Sequence, residues 1–343
     1  MTMSELAAKT GIPRVTISRV LNGFKYVSEE TKARVYAAIA KNGYEPNLLA
    51  RSLVMRRSNL LAFVVPDIHL SFYSEMIDLV ERGAMAGGFH LLPFNSLFDP
   101  AREQRILSVA SQLRVDGMIL VPVKTGDKMA NAASLQGVRH KLVIFDYHEA
   151  TGYSTVGMDN WKAGYMAVER LRLLGHRRIA MLEGGLAEEI KVQSARCLGF
   201  CAAIRESGLP AGNGPVYRGR WARRGEYFEY GYELTKRHIA DFRRAGITAL
   251  FAFTDGVALG AMRALVEEGL RVPADMSIVG CDDLDFAPFL APPLTTIRQP
   301  REEMAAGLLA GLTAERVTHT KFEPIFVERG SCAPPRKGKG SAK

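Results

Sequence analysis

Arg14, Val15, Thr16, Ser18, Arg19 and Asn22 fall within one short run, GIPRVTISRVLNG. Their chemistry is complementary to a nucleic-acid duplex. A guanidinium presents a fixed fork of donors that matches O6 and N7 of guanine, so Arg14 and Arg19 are candidate base readers. The methyls of Val15 suit the thymine methyl. The hydroxyls of Thr16 and Ser18 and the amide of Asn22 suit contacts with the duplex, Ser18 and Asn22 chiefly with phosphate oxygens. These groups work together only if one helix presents them on one side. The same run supplies that helix: Ile17, Val20 and Leu21 recur at helical spacing and form an apolar stripe on the other side.

The neighbouring elements fit. Thr2 and Glu5 form a capping-box pair ahead of a first helix that ends near Gly11. Pro13 stands where the second helix begins and costs no hydrogen bond there. Ser28 caps a third helix, Glu29 and Glu30 favour its positive end, and Gly43 stops it. Val35, Ala38 and Ile39 would close a three-helix core. The expectation is a helix-turn-helix head over 1–45, with the second helix in the major groove. Residues 46–58 read as a hinge. Pro46 and Asn47 start only about two turns of helix, too short to be stable alone. Leu53 is placed to act as an apolar wedge in the minor groove once the hinge is ordered by DNA.

Charge follows the same division. Residues 1–58 hold ten Lys and Arg against four Glu, a net +6, and the tail from Ser331 carries four basic residues and no acid, a net +4. The middle is left at −1 of a total of +9. Basicity is therefore concentrated where phosphate would be met. The tail PPRKGKGSAK is of low complexity, and 331–343 is expected to be disordered.

From Leu60 the pattern becomes apolar runs alternating with amphipathic helices. The runs LLAFVVPD, HLLPFNS, GMILVPV and KLVIFDY come first. After Asp159 a second round follows with RIAMLEG, ALFAFTD and SIVGCDD. Alternating strands and helices predict parallel α/β sheets, and two rounds predict two lobes. The expected body spans 59–330. The first lobe takes about 59–158 and 288–318, and the second about 159–287 and 319–330. Ligands of such folds bind beyond the carboxyl ends of strands. Asp67, Asn95, Asp146, Asp255, Asp282 and Asp283 stand there, with Asp283 expected to cap the following turn. Carboxylates accept hydroxyl hydrogen bonds, which suits a hydroxyl-rich ligand.

No phosphate-binding loop, dinucleotide fingerprint, nucleophile elbow or zinc-protease motif is present. No enzyme, cofactor or metal site is expected. The four cysteines suit a reducing compartment, with Cys197 and Cys201 read as buried free thiols. No apolar stretch is long enough to span a membrane, so the expected location is the cytoplasm, with DNA. A solute-binding protein of a transport system would share the two-lobe body but not the basic head. A sugar- or nucleotide-acting α/β enzyme would need a catalytic constellation.

The head motifs T-x-x-E-L-A, GIPRVTISRVLNG, VSEET, GYEPN and ARSL together resemble the lactose-repressor/galactose-repressor (LacI-type) family of bacterial transcription regulators. Pro13 departs from the Ser usual at that place. The resemblance continues through VPDIHLSFYSE, VGMDN, LLGHRRIAMLEG, SARCLGF, FTDGVALGAM, VPADMSIVGCDD and PPLTTIRQP to about Gly330. The LSFY segment departs from the family's Asn-Pro, which bears on ligand preference. The resemblance implies an effector cleft in which Phe72 and Tyr73 wall the ligand, Asp146 takes its hydroxyls and Arg196 donates. Trp221, Thr254, Asp282 and Gln299 complete the implied set. It further implies a homodimer on a palindromic operator, with a sugar-like effector changing operator affinity by linkage.

Overall fold

The computed structural model describes residues 1–21, 24, 26–44, 57–123, 141–146, 152–184, 194–209, 211–219 and 227–336. The head is three helices, each ended by the chemistry its sequence announces. In α1 (Met3–Thr10) the Thr2 hydroxyl accepts from Glu5 N–H at 3.2 Å, and the Glu5 carboxylate accepts from Thr2 N–H at 2.9 Å. Gly11 closes the helix at φ 68°, a left-handed conformation that glycine adopts freely. α2 (Arg14–Leu21) starts directly after Pro13, whose carbonyl accepts from Thr16 at 2.8 Å and Ile17 at 3.1 Å. α3 (Glu29–Asn42) is capped by Ser28 and closed by Gly43. Leu6, Ile12, Ile17, Val20, Val35 and Tyr44 form the buried core of the head. Leu21, Ala38 and Ile39 are only half-buried. Ile12 in the turn and Tyr44 after α3 fill the space that the stripes alone leave open.

The first lobe is built on a six-stranded parallel sheet. Its strands are β1 (Leu60–Val65), β2 (His90–Asn95), β3 (Gly117–Leu120), β4 (Lys141–Phe145) and β5 (Ser154–Met158), with β11 (His319–Phe322) at one edge. The order is β11-β5-β4-β3-β1-β2. Leu61, Phe63 and Val65 point to one core, and Ala62 and Val64 to the other, so both faces of β1 are buried. α4 (Ser71–Ala86) covers the first face, and α5 (Pro100–Gln112) covers the second with Leu107 and Ala110.

The second lobe repeats the scheme with β6 (Ile179–Leu182), β7 (Val216–Tyr217), β8 (Ala249–Ala252) and β9 (Ser277–Val279), in the order β7-β6-β8-β9. α6 (Asn160–Leu173) and α7 (Ala195–Glu206) pack on one side, α8 (Tyr227–Ala245) and α9 (Asp255–Glu267) on the other. Within each pair the helix backbones touch. A Cβ on Gly164 would lie 1.9 Å from the Arg196 carbonyl oxygen, and one on Gly199 1.8 Å from that of Trp161. No side chain fits at either position.

β10 (Thr296–Arg298) and β12 (Ile325–Val327) pair antiparallel as a separate two-stranded ribbon, and α10 (Arg301–Thr313) packs on α4. This corrects two expected boundaries. β11 belongs to the first sheet, where His319–Phe322 run parallel to Thr155–Met158, and not to the second lobe. Thr295 and Arg298 bridge to Val279 and Asp282, and Leu294 lies in the second lobe's core, so the stretch before α10 belongs there. A short apolar run has the same alternation whichever sheet receives it.

The start of the tail is also corrected. Ser331 is buried, donating to the Ile278 carbonyl at 2.6 Å and accepting from Thr295 N–H at 2.8 Å. Ala333 N–H donates to Ser277 at 3.1 Å. Its carbonyl accepts from His176 Nε2 at 3.0 Å, so the neutral ring leaves Nδ1 to accept from Thr248 at 2.8 Å. These contacts order 331–336 despite its composition; 337–343 lies outside the described residues. Cys197 and Cys281 are buried free thiols, while Cys201 and Cys332 are half-buried. Among the described residues no helix is long and apolar enough to cross a membrane.

Candidate nucleic-acid interface and ligand cleft

α2 separates its two kinds of residue cleanly. Ile17 and Val20 are buried in the head, whereas Arg14, Val15 and Arg19 are exposed, Val15 by 61%. Thr16 and Ser18 are half-buried beside them. A valine left open on a helix next to two arginines is an apolar contact without an intramolecular partner surface. Asn22 and Leu53 lie outside the described residues.

The candidate ligand site is organised by Arg196 at the start of α7. Ser194 caps that helix, and its backbone contact with Gly164 fixes where Arg196 emerges. The buried guanidinium donates from Nε to Asn160 Oδ1 and from Nη1 to the Phe253 carbonyl, both at 2.6 Å. Nη2 donates to Asp282 Oδ1 at 3.4 Å, and the guanidinium lies 4.8 Å from the centre of the Phe253 ring. Asn160 in turn donates to Asp146 at 3.1 Å. Gln299 donates to Asp282 Oδ1 at 2.7 Å. One connected network thus joins Asp146 at the end of β4, Asn160 at the lobe crossing, Arg196, Asp282 after β9 and Gln299 after β10.

The backbone brings the two carboxylates in by unusual means. Asp146 has φ 61° and Asp282 φ 116°, conformations that cost a residue with a side chain free energy and that cluster at binding sites. Burial pushes the Asp282 carboxyl up to about 6, with Arg196 opposing. Burial pushes Asp255 up to about 7, and nearby Asp282 adds to it. Burial alone would lower the Arg196 pKa, but Cys281, Asp282 and Asp146 around it more than offset this and raise it. Burial, then Asp146, Tyr227 and Asp282, push the Tyr73 phenol well up. The Gln299 Oε1 is buried with no hydrogen-bond partner among the described residues. A buried acceptor without a partner is rare and calls for a donor.

The geometry therefore brings together Tyr73, Asp146, Arg196, Asp282 and Gln299. It does not bring in two others expected with them. Phe72 turns into the core, stacked on Phe145 at 6.0 Å, because adjacent helical residues point about 100° apart. Thr254 spends its hydroxyl as the cap of α9, accepting from Val257 N–H at 3.2 Å. Asp283 is no cap: Arg298 Nε donates to it at 2.7 Å, and Arg329 Nη2 lies 2.6 Å from its other oxygen. Trp221 lies outside the described residues. Three residues were missed. Asn160 stood within the VGMDN match and Phe253 at a strand end, so both carried a signal. Tyr227, whose phenol burial and Asp282 push up, opens a helix with no local mark of function. No group of three or more His, Cys, Asp or Glu that could hold a metal occurs among the described residues.

A basic three-helix head followed by two parallel α/β lobes that share a buried polar network defines a ligand-responsive DNA-binding regulator. Residues 2–47 match the bacterial regulatory proteins of the lacI family, and residues 168–332 match the periplasmic binding protein-like domain. The chain is 33% identical over 342 residues to the HTH-type transcriptional repressor PurR of Pectobacterium carotovorum subsp. carotovorum (strain PC1), covering 97% of each. Its fold is similar to the lac repressor dimer bound to operator and the anti-inducer ONPF, with TM-score 0.83, 25% identity and coverage of 97% and 99%. It is also similar to the transcriptional regulator CelR–cellobiose complex, with TM-score 0.66, 28% identity and coverage of 96% and 99%. The chain belongs to the LacI family of bacterial transcription regulators. It is a DNA-binding protein and not an enzyme.

Proposed function

We propose that this regulator is a homodimeric repressor that reads a palindromic operator and responds to a hydroxyl-rich small molecule, a sugar or sugar derivative, held between its lobes. Arg14, Val15, Thr16, Ser18 and Arg19 meet the duplex from α2. Tyr73, Asp146, Arg196, Asp282 and Gln299 hold the effector, with Asn160 and Tyr227 beside them. Asn22 and Leu53 enter on the sequence reading of the second helix and the hinge, and Trp221 on the family resemblance alone. The protein works in the cytoplasm, where its DNA is. The observation that carries the cleft is the Arg196 network, which draws carboxylates and amides from both lobes to one buried point. The chain's fold is similar over nearly its full length to an operator-bound lac repressor, with TM-score 0.83. On that ground we take the described lobe arrangement as the DNA-competent one.

The test is a thermal-shift panel of sugars, sugar acids, polyols and purines, followed by operator titration with each hit. A true effector raises the melting temperature in proportion to the logarithm of its concentration above Kd and changes operator affinity. Arg196→Ala abolishes that response. A hit whose effect on operator binding survives Arg196→Ala unchanged would refute the placement of the site.

A further inference from the structure

Arg301 opens α10, and its guanidinium is shared between the lobes. Nη1 is ion-paired with the Glu75 carboxylate, in the first turns of α4. Nη2 donates to the Asp283 carbonyl at 3.2 Å. Glu75 stands two residues after Tyr73, and Asp283 directly follows Asp282. One side chain therefore joins the helix that carries the first lobe's cleft residue to the strand end that carries the second lobe's. The far end is anchored as well. The Asp283 carboxylate is held by Arg298 on β10, at 2.7 Å, and by Arg329 just after β12, at 2.6 Å. Those two arginines lie on and just beyond the two strands of the antiparallel ribbon.

We propose that Glu75, Arg301 and Asp283 form an inter-lobe tie that holds the DNA-competent arrangement, with Arg301 as a positioning residue for the cleft. This rests on the effector and lobe reading given above. Arginine suits the task because its planar fork satisfies two acceptors at once, which a lysine ammonium on its flexible stem does less well. The Arg301 and Glu75 side chains are only 15% and 25% exposed, so water screens the pair less than a surface pair. The two contacts are unequal. The carbonyl bond is to a neutral acceptor across the lobes, whereas the Glu75 contact is an ion pair within the first lobe. A relative movement of the lobes breaks the first and keeps the second, so Arg301 stays with α4 as Asp282 and Asp283 move off. A ligand between Tyr73 and Asp282 acts on both ends of this tie.

The test needs no effector. The full chain is used to select a duplex from a random-sequence pool, and its affinity for that duplex is read by fluorescence anisotropy across salt concentrations. Arg301→Gln is expected to weaken binding about tenfold, within the usual range of coupling between sites. Glu75→Gln, which leaves the carbonyl contact, is expected to weaken it about threefold. In both, the slope of log K against log salt stays that of the parent protein, because the phosphate contacts of the head are untouched. A merely structural role would move the melting temperature and leave the affinity alone. Parent-like affinity in folded Arg301→Gln overturns the tie, as does a changed salt slope, which would place the defect in the head. Should Arg301→Gln fail to fold, Glu75→Gln decides by the same two readings. A parent chain that selects no duplex refutes the operator reading itself, and the tie falls with it.

Discussion

Gly164→Ala is the sharpest perturbation the fold offers. The added methyl would sit 1.9 Å from the Arg196 carbonyl oxygen, 2.8 Å from its carbon and 2.9 Å from the Phe200 nitrogen. All three are backbone atoms, so no side chain can swing aside. Relief to an ordinary 3.4 Å contact requires α6 and α7 to part by about 1.5 Å. Overpacking of this kind costs about 1–3 kcal/mol. The same movement carries Arg196 away from Asn160 and the Phe253 carbonyl, now both at 2.6 Å. Loss of charge-assisted bonds adds about 1.5–3 kcal/mol for each that is not remade. With one of the two bonds lost the expected destabilisation is about 2.5–6 kcal/mol, and with both lost about 4–9 kcal/mol. Gly212→Ala is the control, since a Cβ there meets nothing within 4 Å and the backbone is not left-handed. Calorimetry of both variants should show a second-lobe transition lowered by many degrees in Gly164→Ala and unmoved in Gly212→Ala. The ligand response should be lost in the first while head binding to DNA persists. Gly164→Ala melting within a degree of the parent would refute the claim that the backbone contact fixes Arg196.

Arg19→Ala should cost about 1–3 kcal/mol at the cognate site and relax base preference at one position, read by titrating base-substituted duplexes. Unchanged specificity would remove Arg19 from the reading face. Burial holds the His176 imidazole below its ordinary 6.5, so the unfolded chain takes up that proton first. Its contribution is complete above pH 6.5 and is lost as pH falls through the folded value. Asp282, at about 6, and Asp255, at about 7, act oppositely, losing stability as pH rises through those values. The difference in melting between the parent and His176→Gln isolates the histidine, and a pH-independent difference would contradict its buried neutral state. Truncation after Gly330 removes the Ser331 and Ala333 bonds and should cost several kcal/mol, at about 1–3 for each buried partner left unsatisfied. Truncation after Arg336 keeps those bonds and should leave the melting curve unmoved; equal loss in both would refute the anchoring.

The elements that the sequence announced most clearly were those governed by neighbouring residues. Thr2, Glu5, Gly11, Ser28 and Gly43 act within one turn of their own position, and all do in the structure what their types imply. The runs at β1 and β8 were legible because each is buried on both faces. The misplacements share a different cause. β11 and the stretch before α10 went to the wrong lobe because a three- or four-residue strand carries no sign of its sheet. Phe72 and Tyr73 were indistinguishable as neighbours; one faces Phe145 and the other the cleft carboxylates.

The sequence by itself determined that this protein touches DNA and that two α/β lobes follow the reading head. Capping, turn residues, apolar period and charge are local properties, and the energy of a local contact is written in residues a few places apart. Only the tertiary structure decided which groups meet. Arg196 joins Asn160, Phe253 and Asp282 across separations of up to 86 residues, and Arg301 joins Glu75 across 226. Those pairings arise from how two sheets cross and how closely glycine lets two helices approach. Neither is a property of any single stretch of chain.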